Sequence, residues 1–169
     1  MSVGAQEFRR QVEIGLTVNG EQVAARVDAG RHLVDFLRLD LGLTGSHAGC
    51  EHGVCGACTL QVDGQIVRGC LVLAAQLDGA EVWTIEGLSE TGAIRDLQNA
   101  FVERNALQCG FCTPGMLVAA ADLIERGGQP TREAIREHLS GNYCRCTGYE
   151  AIVDAIEAVV AGGQREAAE

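Results

Sequence analysis

Eight cysteines are the residues of this 169-residue sequence whose type and spacing could do chemistry, and they fall into two groups of four. Four thiolates together are a typical ligand set for zinc or for an iron–sulfur cluster. Disulfide bonds are the weaker alternative, because nothing in the sequence indicates secretion and clustered cysteines in a reducing compartment favour metal or redox chemistry. The first group comprises Cys50, Cys55, Cys58 and Cys70, and the second comprises Cys109, Cys112, Cys144 and Cys146.

The first group has the spacing C-x4-C-x2-C, with a fourth cysteine after eleven further residues. This is the plant-type spacing of a 2Fe–2S cluster. A loop that wraps a compact anionic cluster needs backbone freedom and little side-chain bulk, which Gly49, Gly53 and Gly56 supply. Backbone N–H groups of such a loop can then point at the sulfur atoms. The alternative is zinc, but structural zinc favours paired C-x2-C knuckles, which the gap between Cys50 and Cys55 does not match.

Two histidines near this group require a check for a Rieske centre, because Cys50 and His52 form C-x-H. A Rieske centre takes two histidine ligands. The sequence has no matching C-x2-H downstream, so we reject this reading. His47 and His52 are interpreted as solvated loop residues that could modulate the potential of a cluster.

The second group consists of a C-x2-C pair, in Gln108-Cys-Gly-Phe-Cys-Thr-Pro-Gly115, and a C-x-C pair, in Gly141-Asn-Tyr-Cys-Arg-Cys-Thr-Gly148. Both pairs precede predicted helices, whose N-termini present free N–H groups and the positive end of the helix dipole. Arg145 adds positive charge between two of the cysteines, although it could equally be an ordinary surface residue. The spacing of this group alone is compatible with zinc or with a 2Fe–2S cluster.

The first half of the sequence predicts a small sheet, because apolar and polar residues alternate and turn signals separate the runs. Asn19-Gly20 and Asp63-Gly64 are two-residue hairpin signals. A stripe of Leu33, Phe36, Leu37 and Leu41 indicates one helix. The predicted elements are strands at 11–18, 22–27, 60–62, 66–67 and 82–85, and a helix at 33–41.

From residue 92 onward the hydrophobic period changes from two to 3.6, which predicts helices. Proline early in a helix and threonine before it are start signals, and glycine pairs are stop signals. We therefore place a sheet domain at 1–88 and a helical domain with a polar tail at 89–169. The first predicted helix carries Ile94 to Phe101, and the second begins at Pro114 after the cap Thr113 and stops at Gly127-Gly128. The third runs from the cap Thr131 to Gly141. The fourth carries Ile152 to Val160 and stops before Gly162-Gly163.

The formal charge of −10 excludes most nucleic-acid partners, because no basic stripe matches a phosphate backbone. No apolar stretch approaches the length of a membrane span. Arg9-Arg10 is not followed by the continuous apolar region of an export signal, so we expect a cytoplasmic protein.

The combined motifs resemble those of the small subunit of molybdenum hydroxylases over about residues 10–160. The residues that carry the resemblance are Gly-Cys-Glu-His-Gly-Val-Cys-Gly-Ala-Cys, Gln-Cys-Gly-Phe-Cys-Thr-Pro-Gly and Cys-Arg-Cys-Thr-Gly-Tyr, in the order of the family. The resemblance implies an α+β chain, with an N-terminal β-grasp domain of the plant-type ferredoxin kind followed by an all-α four-helix-bundle domain, each with a 2Fe–2S cluster.

The resemblance further implies an electron-transfer subunit without a substrate-converting site of its own. A large partner subunit would carry molybdopterin cytosine dinucleotide, a medium subunit would carry FAD, and the assembly would be a dimer of such heterotrimers. By motif match, Cys109, Cys112, Cys144 and Cys146 hold the cluster nearer molybdenum, and Cys50, Cys55, Cys58 and Cys70 hold the one nearer FAD. Gln108 matches a glutamine that hydrogen-bonds the pterin cofactor.

The expected substrate of the complex is an N-heterocycle or a similar small molecule. Two other functions stay open from the sequence. One is a free-standing two-cluster ferredoxin, against which the Gln108 motif and the helical domain argue. The other is a zinc-stapled interaction module without redox activity, which would be colourless when purified.

Overall fold

The computed structural model describes residues 10–166, so Arg9 and the last residues of the predicted polar tail lie outside the described part. Within that part no helix is long and apolar enough to cross a membrane. The elements in chain order are β1 (Gln11–Val18), β2 (Glu21–Asp28), α1 (Leu33–Asp35), β3 (Thr59–Val62), β4 (Gln65–Arg68), β5 (Glu81–Trp83), α2 (Ile85–Glu90), α3 (Arg95–Glu103), α4 (Thr113–Glu125), α5 (Arg132–His138) and α6 (Glu150–Glu166).

The N-terminal half forms a five-stranded mixed sheet in the order β2-β1-β5-β3-β4. Both predicted hairpins are present, with β1 antiparallel to β2 and β3 antiparallel to β4. Asn19 and Asp63 each take a positive φ, as two-residue hairpin turns require. The last strand, β5, lies parallel to β1 and antiparallel to β3, and so joins the two hairpins into one sheet of the predicted β-grasp kind.

One short helix covers this sheet. The chain turns through α1 and continues in a wider π-type turn over Phe36–Asp40. Leu33, Phe36 and Leu37 are fully buried and pack against strand residues such as Leu16 and Leu60. The amphipathic stripe seen in the sequence therefore supplies the core of the sheet domain.

The C-terminal half is helical, with a core that includes Phe101, Met116, Ile135, Ile152 and Ile156. Thr131 caps α5 as predicted, because its hydroxyl accepts from the backbone N–H of Ala134 at 3.2 Å. The helix before it begins one residue earlier than predicted: Thr113 is already helical and Cys112 takes the cap position.

Two other predictions about helices and strands were wrong. The last strand ends at Trp83, and Ile85 instead begins the short helix α2, which packs its buried Ile85 and Leu88 into the helical core. The last helix continues through Gly162 to Glu166. Glycine only weakens a helix, and it ends one when the chain enters the left-handed region, which Gly162 does not.

The two halves pack directly on each other through α4, which contacts β3 and β4. This contact is close, because a β-carbon on Gly115 in α4 would lie 2.4 Å from the carbonyl oxygen of Gly56. Gly56 belongs to the loop of the first cysteine group. The packing therefore brings that loop against the N-terminal end of α4, where the second cysteine group begins.

Candidate metal centres

The first cysteine group lies in the loop between α1 and β3 and in the turn that follows β4. Cys58 and Cys70 are buried, at 2% and 1% exposure, while Cys50 and Cys55 are partly exposed. The backbone N–H of Cys55 donates to Cys50 Sγ at 3.3 Å. This is the sulfur-directed hydrogen bonding that the glycine-rich loop predicts.

The thiols of the first group differ in acidity because their surroundings differ. Backbone N–H groups of Cys55 and His52 lower the pKa of Cys50 to about 6. Burial, together with the adjacent Cys70 and Cys55, raises the pKa of Cys58 to about 11. Four thiolates at this spacing repel one another, and a cationic iron or zinc core would offset that repulsion.

The second group is assembled from two turns that each precede a helix. Cys109 and Cys112 lie just before α4, and Cys144 and Cys146 lie just before α6. The sulfur atoms of Cys109 and Cys146 are 3.6 Å apart. Cys112 and Cys144 also interact through their side chains. Residues more than 30 positions apart in sequence thus lie close together at the starts of two helices.

Two residues of the C-x-C turn hold Cys144 in place. Thr147 donates to Cys144 Sγ through its hydroxyl, at 3.1 Å, and through its backbone N–H, at 3.4 Å. The hydroxyl of Tyr149 accepts from the backbone N–H of Cys144 at 2.9 Å. Tyr149 takes a positive φ of 69°. These contacts were not predicted, since they depend on how the turn folds back.

The second group also combines thiols of different acidity. Burial and the neighbouring Cys144 raise the pKa of Cys112 to about 12. Burial opposes ionisation of Cys144 too, but the hydrogen bonds from Thr147 outweigh it and the pKa of Cys144 is lowered. The thiol of Cys109 raises the pKa of Cys146.

All eight cysteines lie in the described part of the chain, and none of them is bonded to another there. The thiols approach each other within the two predicted sets. Four soft sulfur donors with N–H groups aimed at them fit an iron–sulfur cluster in each set. A 2Fe–2S cluster bound there supplies a centre that takes up and releases one electron.

The two candidate centres face each other across the domain contact. The backbone N–H of Tyr143, next to Cys144, donates to the carbonyl oxygen of Cys55 at 2.8 Å. His47 stacks on Phe111, with ring centroids 4.6 Å apart, and its Nδ1 is 2.8 Å from the carbonyl oxygen of Phe111. His47 is therefore a domain-contact residue and not the solvated residue that we expected, whereas His52 is exposed.

Gln108 lies exposed beside the second centre. Its side-chain Nε2 donates to the carbonyl oxygen of Cys146 at 3.1 Å. The bond ties the amide to the C-x-C turn and keeps it at the surface where Cys109 and Cys146 are also exposed.

Comparison with protein-family models gives two adjoining matches. Residues 16–84 match a 2Fe–2S iron–sulfur cluster binding domain, and residues 84–157 match a [2Fe–2S] binding domain. The chain thus contains two 2Fe–2S-binding domains, and their matches cover the first and the second cysteine group respectively.

Similar proteins cover nearly the whole chain. The small subunit of nicotine 6-hydroxylase from Paenarthrobacter nicotinovorans is 55% identical over 146 residues, which are 86% of this chain and 88% of that protein. Caffeine dehydrogenase subunit gamma from Pseudomonas sp. (strain CBB1) is 51% identical over 152 residues, with 86% and 89% covered. The structure of quinoline 2-oxidoreductase from Pseudomonas putida 86 superposes with a TM-score of 0.86 at 46% identity, covering 92% of this chain and 97% of that one.

Proposed function

This chain belongs to the small 2Fe–2S subunits of the molybdenum hydroxylases, and from that membership we propose that it relays single electrons from a molybdenum site to a flavin. The observation that carries the proposal is the pair of cysteine sets held in facing loops, with the Tyr143–Cys55 hydrogen bond between them. Two centres in one chain extend the distance over which electrons can move.

The proposed ligands are the eight cysteines in their two sets of four. The second set, together with Gln108, lies at an exposed surface and would face the molybdenum cofactor, with Gln108 hydrogen-bonded to the pterin. Cys109 and Cys146 are the exposed members of that set. The first set would then deliver the electron towards FAD.

The proposed partners are a large subunit with molybdopterin cytosine dinucleotide and a medium subunit with FAD, in a dimer of heterotrimers in the cytoplasm. The names of three similar proteins include nicotine, caffeine and quinoline, which are N-heterocycles. We therefore take an N-heterocycle as the substrate of the complex. The proposed boundary between the sheet domain and the helical domain lies between residues 88 and 89, and Ile85 and Leu88 just before it pack in the helical core.

The relay is tested with a Cys109→Ser variant of the purified complex. Substrate added without an external acceptor should bleach the flavin in the unaltered complex and leave it oxidised in the variant, because the first step of the relay is broken. Val102→Ala, an exposed position on α3, is the control and should behave like the unaltered complex. Flavin reduction at an unchanged rate in Cys109→Ser would refute the proposed order.

A further inference from the structure

We propose that Asn142 and Arg68 are positioning residues that hold the Tyr143 N–H on the Cys55 carbonyl, and that this hydrogen bond is the crossing point for electrons between the two centres. The inference rests on the proposed relay. With a 2Fe–2S cluster held by each cysteine set, one electron would pass from the cluster at Cys144 to the cluster at Cys55. No atom or proton needs to move with it.

The crossing is short in terms of chemical bonds. Tyr143 is the residue directly before Cys144, and its N–H donates to the carbonyl of Cys55 itself at 2.8 Å. A path from one sulfur to the other therefore follows the backbone of adjacent residues and a single hydrogen bond. Electrons tunnel more readily through covalent and hydrogen bonds than across a gap of similar length. The alternative route through His47 and Phe111 needs two hydrogen bonds: His47 Nδ1 lies 2.8 Å from the carbonyl oxygen of Phe111, the residue before Cys112, and the backbone N–H of His47 donates to the carbonyl of Ala57, the residue before Cys58, at 3.2 Å.

Asn142 fixes the segment that carries this N–H. Its side chain is buried at 2% exposure, although it is polar. Its Nδ2 donates to the carbonyl of Gly56 at 3.1 Å and to Thr59 Oγ1 at 3.1 Å. Gly56 is the residue after Cys55, so the residue before Tyr143 binds the residue after Cys55. The Tyr143–Cys55 hydrogen bond is thus flanked by a second hydrogen bond, which the side chain of Asn142 donates to Gly56.

Arg68 completes the arrangement from β4. Its guanidinium donates to the carbonyl of Gly141 at 2.7 Å and to Asn142 Oδ1 at 3.2 Å. It also donates to Thr59 Oγ1. The side-chain oxygen and nitrogen of Asn142 are therefore both engaged, and their orientation is set by a charged donor from the sheet domain.

The hydrogen-bond network of Asn142 and Arg68 fixes the two segments more precisely than apolar packing between the domains would. A buried amide satisfied on both sides is costly to misplace, since any shift leaves a polar group without a partner. The partners of Asn142 come from the first cysteine loop and from β3, while Asn142 itself precedes the C-x-C turn. The hydrogen bonds of Asn142 therefore join the segments that carry the two cysteine sets.

The test measures electron transfer between the two centres in the purified complex after a photoexcited dye injects one electron. The crossing hydrogen bond is removed alone by an amide-to-ester substitution at Tyr143, which replaces the N–H by an oxygen atom. Asn142→Ala releases the segment, and Asn99→Ala, an exposed asparagine on α3, is its control. Absorbance reports the rate, and the dipolar splitting of the two EPR signals in the fully reduced complex reports the distance between the centres.

The ester variant should slow the transfer with unchanged splitting, because it removes the hydrogen bond from the path without moving either centre. Asn142→Ala should slow it and weaken the splitting, while Asn99→Ala should do neither. Unchanged transfer in the ester variant would overturn the inference, whether or not Asn142→Ala folds. Failure of the relay itself is distinguishable, because substrate would then fail to reduce either centre in the unaltered complex.

Discussion

The hydroxyl of Thr147 lies 3.1 Å from the sulfur of Cys144 and donates a hydrogen bond to it. The same oxygen accepts the backbone N–H of Tyr149 at 3.2 Å, which orients the hydroxyl. A donor aimed at a ligand sulfur stabilises the more negative, reduced state of a cluster. Thr147 is therefore placed to raise the reduction potential of the second centre.

Thr147→Val should lower the reduction potential of the second cluster by about 40 mV, the one-electron equivalent of a hydrogen bond worth about 1 kcal/mol. Thr147→Ser keeps the hydroxyl and should stay close to the unaltered potential. An EPR-monitored redox titration of the complex measures both. A valine variant that matches the serine variant would show that the hydroxyl does not tune the cluster.

The elements that hold the two cysteine sets were predictable from local pattern. Asn19-Gly20 and Asp63-Gly64 specify tight hairpins because those dipeptides accept a positive φ. Thr131 specifies a helix start because its side chain can satisfy a free N–H. Each of these signals acts within a few residues, so one sequence is enough to see it.

What the sequence did not reveal depends on contacts between distant residues. Arg68 and Asn142 are 74 positions apart, and only the packed structure brings them together. The short helix α2 has no side-chain cap, and it is stabilised by burying Ile85 and Leu88 in the helical core. His47 resembled a solvated loop residue because its partner, Phe111, belongs to the other domain.

Gly56→Ala should destabilise the chain much more than Gly64→Ala. Both glycines have a left-handed φ, of 72° and 73°, but an added β-carbon at Gly56 would lie 2.4 Å from the carbonyl oxygen of Gly141, whereas at Gly64 it meets nothing within 4 Å. We expect the free energy of unfolding to fall by about 1 kcal/mol at Gly64 and by about 3 kcal/mol at Gly56. Chemical denaturation of the holo-chain measures the difference, and equal losses would contradict the close domain contact.

In the metal-free chain, Cys50 should react with iodoacetamide faster than Cys58. A pKa of about 6 makes Cys50 largely thiolate at neutral pH, while a pKa of about 11 keeps Cys58 protonated until the solution is strongly alkaline. The rate of iodoacetamide labelling at Cys50 should therefore rise through about pH 6 and then level off.

Mass spectrometry of labelled peptides measures the two rates across pH. The acidity of Cys50 comes from N–H groups of its own loop, so it depends on the loop being formed before the cluster binds. Equal labelling of both thiols at neutral pH would mean that the loop is not preformed.

Asp122→Ala should weaken the contact between α4 and α5. The Asp122 side chain is nearly buried, pairs with Arg126 at 2.8 Å and lies 3.1 Å from Nε2 of His138. Its removal leaves two polar side chains without their carboxylate, and we expect a loss of about 2 kcal/mol in the free energy of unfolding. Glu125→Ala, the exposed neighbour, is the control and should change stability little. Urea denaturation curves of equal midpoint for the two variants would contradict this role.

The most direct test of the two-centre account is the EPR spectrum and metal content of the reduced complex with Cys50→Ser or Cys109→Ser in this chain. The account predicts that the unaltered chain holds two 2Fe–2S clusters, with iron and acid-labile sulfide in equal amounts, and two distinct EPR signals. Each substitution should remove or alter a different one of those signals and leave the other in place. Zinc without labile sulfide, or loss of the same signal in both variants, would contradict it.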